Sequence, residues 1–156
     1  MGRATAATTT VFGPVVEWTT DTDWLNIDTD PSVGTFTNSA TIADGFPNPE
    51  GDGALGVYVF DGASIDVFVN DGSITAVESG FPGGNNPLAR QADATALWIQ
   101  GDVPSVVNNG RLSAVAWGFL NESATSAAAS ATAIGAYLDP DSGLVANFTN
   151  NGDIDA

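Results

Sequence analysis

The chain of 156 residues contains no cysteine, no histidine and no lysine, and its only basic side chains are Arg3, Arg90 and Arg111. Each absence removes a chemistry. Without thiols there is no disulfide framework, no thiolate metal site and no clue to redox compartment. Without histidine or lysine there is no Ser-His-Asp or Cys-His nucleophile, no zinc site of the usual ligands, no Schiff base and no phosphate-loop lysine. Three scattered arginines cannot release counterions from a phosphate backbone, which excludes nucleic acid as a partner and disfavours an anionic membrane surface. No apolar run reaches the roughly 18 residues of a membrane-spanning helix, so direct insertion is not expected. The stretch Met1–Val16 lacks the continuous apolar segment of a secretory leader.

What is present is acid and apolar residues together. Asp and Glu number 19, the formal net charge is -16, and yet 43% of residues are hydrophobic, with 4 tryptophans and 8 phenylalanines. That is enough apolar material for one packed domain, so disorder is the weaker expectation. Self-repulsion on this scale opposes folding in dilute buffer. The Debye length shrinks from about 10 Å at 0.1 M salt to about 3 Å at 1 M, so the composition suits concentrated salt, with carboxylates in the surface role of lysine.

The clearest pattern runs from Leu55 to Phe81, where three apolar runs are separated by Asp61-Gly62 and Asn70-Asp71-Gly72. Asp-Gly and Asn-Gly next to alternating residues predict hairpins, because glycine supplies the positive φ of a tight turn. This stretch repeats. Val69–Phe81 aligns without a gap on Val107–Phe119, and Asn150–Ala156 matches the start of the unit again, at spacings of 38 and then 42 residues. The expectation is a set of duplicated β-hairpins. Solenoids and propellers are disfavoured because the units are few and the first third of the chain does not join in. Other candidate strands are Val11–Trp18, interrupted by Gly13-Pro14, then Val33–Ile42, Ala94–Gln100, Val106-Val107, Ser130–Leu138 and Leu144–Thr149; Asn121–Ala133 suits either a short alanine-rich helix or a loop. The total of about nine short strands predicts an all-β fold, a two-sheet, jelly-roll-like β-sandwich. Residues 1–10 form an extended N-terminal arm, frayed or ordered against a neighbour, and residues 11–156 form the single domain.

Candidate sites are few. Asp21, Asp23, Asp28 and Asp30 flank Trp24 and form an all-oxygen ligand set of the kind a hard cation such as Ca²⁺ takes. The order is not that of an EF-hand loop, and solvated turn carboxylates are the competing reading. Trp18, Trp24, Phe46 and Phe81 are the candidate interface anchors, the last two within Gly-Phe-Pro loops at 45–47 and 80–82. Core packing is their alternative role. Asp141-Ser142-Gly143 matches the short core of retroviral-type aspartic proteases, but Asp139-Pro140 precedes it where that family has apolar strand residues. No enzyme and no cofactor is expected. Two N-glycosylation sequons, at Asn121 and Asn147, are weak signals in a chain so rich in asparagine and threonine.

In composition and size the stretch Val11–Ala156 resembles the small jelly-roll capsid and vertex proteins of viruses that infect halophilic archaea. No diagnostic motif accompanies the likeness, so no family residue is transferred. The resemblance implies a non-enzymatic structural subunit in a symmetric homo-oligomer, with copies of itself and other particle subunits as partners and the virion as its location. The alternative is a carbohydrate-binding or adhesion-type β-sandwich module on a haloarchaeal surface or appendage, with Ca²⁺ as its candidate ion.

Overall fold

The computed structural model describes residues 7–44, 53–79, 89–117, 128–139 and 143–156. These form twelve strands: β1 (Ala7–Trp18), β2 (Leu25–Asn38), β3 (Thr41–Asp44), β4 (Ala54–Val59), β5 (Ile65–Asn70), β6 (Ser73–Ser79), β7 (Ala89–Ile99), β8 (Ser105–Asn108), β9 (Arg111–Trp117), β10 (Ala128–Leu138), β11 (Asn147–Asn150) and β12 (Asp153–Asp155). Every strand pairing among the described residues is parallel. A hairpin joins antiparallel neighbours, so among the described residues none of the expected hairpins exists. Strands adjacent in sequence lie instead in different columns, and each pairs with its counterpart one turn of the chain away.

The result is a stack of coils, a β-solenoid. One column runs β2, β4, β7, β10; a second runs β2, β5, β8, β11; a third runs β3, β6, β9, β12. Strand β2 serves the first two columns, with Leu25–Ile27 on β4 and Val33–Asn38 on β5. Ahead of it, β1 lies along the whole of β2, and Thr22 bridges Ile42, which completes a short first coil. Five coils are therefore stacked. The jelly-roll sandwich is overturned, and so is the dismissal of a solenoid. The first third of the chain does join the repeat, through coils too short to match the later ones. Ala7–Thr10, expected in an arm frayed or ordered against a neighbour, are part of β1 and pair with Leu25–Asp28 of the same chain.

The interior is built from identical positions stacked coil on coil. Phe36, Phe68, Val106 and Phe148 are in register, with Val16 of β1 above Phe36. The Phe36 and Phe68 rings stack with centroids 5.6 Å apart and 10° between planes. Ile42, Ile74, Leu112 and Ile154 form the matching interior row of the third column. Each fully buried aliphatic side chain contributes about 1.5–3 kcal/mol relative to exposure.

The corner between the second and third columns carries a ladder of asparagines. Asn38 Nδ2 donates to Asn70 Oδ1 at 2.9 Å, Asn70 Nδ2 to Asn108 Oδ1 at 2.8 Å, and Asn108 Nδ2 to Asn150 Oδ1 at 2.7 Å. An amide is both donor and acceptor, so identical residues can bond to one another without end, which a carboxylate cannot do. The glycines beside the ladder have a different purpose from the one the sequence suggests. Gly72 and Gly110 are not in the left-handed region, unlike Gly62 with φ 86°. A Cβ on Gly110 would overlap the carbonyl oxygen of Gly72, and one on Gly152 that of Gly110. Here glycine is required by the close approach of one coil to the next.

Candidate functional site

Two surfaces stand out: an aromatic column on an outer face, and the open end of the last coil. The column arises because β4, β7 and β10 are in register, which places Tyr58, Trp98 and Tyr137 opposite one another. Ring centroids are 5.4 Å apart for Tyr58–Trp98 and 5.5 Å for Trp98–Tyr137, the second pair edge-to-face. Phe60 adds a fourth ring against Tyr58 at 4.8 Å. Contacts of this kind contribute about 0.5–1.5 kcal/mol per pair beyond area burial. The column is half-buried, and Tyr137 at its end is 39% exposed.

A polar chain closes one side of the column. Tyr58 donates its hydroxyl to Gln100 Oε1, and Gln100 Nε2 donates to Asp139 Oδ2 at 3.1 Å. Burial, with the nearby Asp61 and Asp139 carboxylates adding to it, pushes the Tyr58 phenol above its ordinary value. Tyr58 therefore remains a neutral donor. Rings beside an amide and a carboxylate can stack on and hydrogen-bond a ligand, but they do not form a nucleophile with its base.

The expected metal ligands are not brought together. Asp21 turns back to accept the Thr41 N–H at 2.8 Å, and Asp28 accepts the N–H of Thr29 at 2.8 Å. Asp28 and Asp30 are exposed on β2. Among the described residues no group of three or more acidic side chains is placed to hold a metal ion. Of the expected interface anchors, Trp18 is half-buried and packs against the core, and Trp24 is half-buried. Phe46 and Phe81 lie outside the described residues, as do Asp141, Ser142 and the sequon at Asn121. Asn147, in the other sequon, is exposed on β11.

Sequence reasoning did not find the aromatic column. Its signal was available: Tyr58, Trp98 and Tyr137 are separated by 40 and 39 residues, close to the spacing of the asparagine repeat. No protein family, curated protein or solved structure matches the chain.

Proposed function

We propose that the protein is a non-enzymatic structural module, a segment of a spike or fibre on a virus particle of a halophile. The observation that carries this reading is the architecture: parallel coils stacked along one axis, with β10, β11 and β12 each paired on one side among the described residues. Such a stack extends in one direction, which suits a spike or fibre better than a closed ring. The acidic composition, with its formal net charge of -16, fits exposure to concentrated salt. Peptide mapping of purified virions and of host envelopes tests it. Recovery with virions is the expected result, and absence from both fractions overturns the reading.

A second reading, an adhesion module on a haloarchaeal surface or appendage, is favoured by the aromatic column of Tyr58, Trp98 and Tyr137. Half-exposed rings next to Gln100 and Asp139 suit the apolar face and hydroxyl groups of a sugar. Recovery with envelopes, together with glycan retention that is lost in Trp98→Ala, would favour this reading over the first.

A further inference from the structure

We infer that the last coil is a docking edge for a second copy of this chain, whose first coil stacks on it head to tail. The inference rests on the structural-module reading and names the partner of that module.

The last coil is less buried than the coils before it in each column. Ile42, Ile74 and Leu112 are fully buried, whereas Ile154, next in the same row, is 41% exposed. Asn38 and Asn70 are 0% exposed and Asn108 is 1%, whereas Asn150 is open to solvent and its amide turns to the Gly152 carbonyl at 2.9 Å. Phe148 and Leu138, successors of the buried Val106 and Ile99, are only half-buried. Among the described residues, strands β10, β11 and β12 each pair on one side alone. An edge of this kind is a ready template for another strand.

The first coil has the matching strand direction and register. Strand β1 already packs in parallel on β2, with Thr9 over Ile27, Val16 over Phe36, Trp18 over Asn38 and Thr22 over Ile42. Translating a second copy along the stack repeats that relation at the junction. Its Thr9 then meets Leu138, Val16 meets Phe148, Trp18 meets Asn150, and Thr22 meets Ile154. All strands remain parallel, so the junction repeats the coil-to-coil contact found within the chain. Tail-to-tail pairing would instead set the strands antiparallel and lose these columns. Head-to-tail contact is heterologous and gives a linear chain of molecules rather than a closed dimer.

The same register explains when the junction forms. Asp21 and Asp23 flank Thr22, and Asp153 and Asp155 flank Ile154. Stacking sets Asp21 opposite Asp153 and Asp23 opposite Asp155, so like charges oppose one another until salt screens them.

The test uses the full chain in about 3 M salt, where screening is essentially complete, with mass read by light scattering. Wild type is expected to give multiples of the chain mass that grow with concentration and disperse at about 0.1 M salt. Ile154→Asp blocks the tail and Val16→Asp blocks the head, because a carboxylate buried at the junction has no partner. Circular dichroism first establishes that both variants are folded. Each alone is expected to be monomeric, and an equimolar mixture to give dimers through the one intact head and tail. Wild type that is monomeric at every concentration in 3 M salt overturns the inference, and so does a Val16→Asp chain that dimerises by itself. A monomer recovered from virions sinks the stacking but leaves the structural role. A stacking chain absent from virions and envelopes does the reverse.

Discussion

Asn108 is the residue on which the interior of the stack turns. Its side chain accepts from Asn70 at 2.8 Å and donates to Asn150 at 2.7 Å, with further donation to the carbonyls of Gly110 and Asp153. Replacing it by aspartate preserves shape and removes the donor, which leaves the Asn150 carbonyl without its bond and buries a charge. Each buried group left unsatisfied costs about 1–3 kcal/mol, and a charged one more. Asn108→Asp is therefore expected to lower stability by at least about 3 kcal/mol. Asn150→Asp, at the exposed end, loses only a donation to the Gly152 carbonyl that water can replace, and is expected to cost less than about 1 kcal/mol. Denaturant unfolding of the two variants in molar salt, each in the non-stacking Val16→Asp background, checks the ranking. Equal losses would mean that the ladder is not what holds the coils in register.

At the scale of the element, neighbouring coils are not equally protected. Among the described residues, strand β5 has β2 on one side and β8 on the other, whereas β11 has β8 alone and β12 has β9 alone. Opening free energy rises with the number of buried contacts an element must lose. In the non-stacking Val16→Asp chain, amide hydrogen exchange is expected to be slowest in β5 and β8 and fastest in β11 and β12. Uniform protection from Leu25 to Asp155 would contradict a stack that frays from its end. These same elements explain what the sequence could and could not reveal. The repeat of Asn70, Asn108 and Asn150 was legible at spacings of 38 and 42, and those spacings are the lengths of whole coils. Its direction of pairing was not legible, because alternating residues after Asn-Gly suit a hairpin and a solenoid corner alike. The first coils escaped for two further reasons. Asn38 is followed by Ser39-Ala40 instead of an Asn-Gly pair, only 32 residues before Asn70. Trp18 occupies the ladder position of the coil before that. The aromatic column was missed because its members, Tyr58, Trp98 and Tyr137, differ in identity although they share a register.

For the molecule as a whole, charge and architecture pull against each other. Stacked strands are about 4.8 Å apart, so carboxylates on successive coils are well within the Debye length of about 10 Å at 0.1 M salt and outside the value of about 3 Å at 1 M. Asp61 and Asp139, from coils separated by one other, both act on Tyr58, which shows how closely the coils gather acid. Opposite charge offers little relief. Among the described residues the one ion pair is Arg111–Asp155 at 2.9 Å, with both side chains more than half exposed, and exposed pairs contribute about 0–1 kcal/mol at best. Folding of the isolated chain is therefore expected to depend on salt even when stacking is prevented. The tail-blocked Ile154→Asp variant separates the two effects, since its melting temperature reports one chain alone. That temperature is expected to climb steadily from 0.1 M to about 1 M salt, where screening length changes most, and to be the same in sodium and potassium chloride. A flat response would mean that the fold tolerates its charge without screening. A rise produced by millimolar Ca²⁺, with none from monovalent salt, would replace general screening with a bound ion.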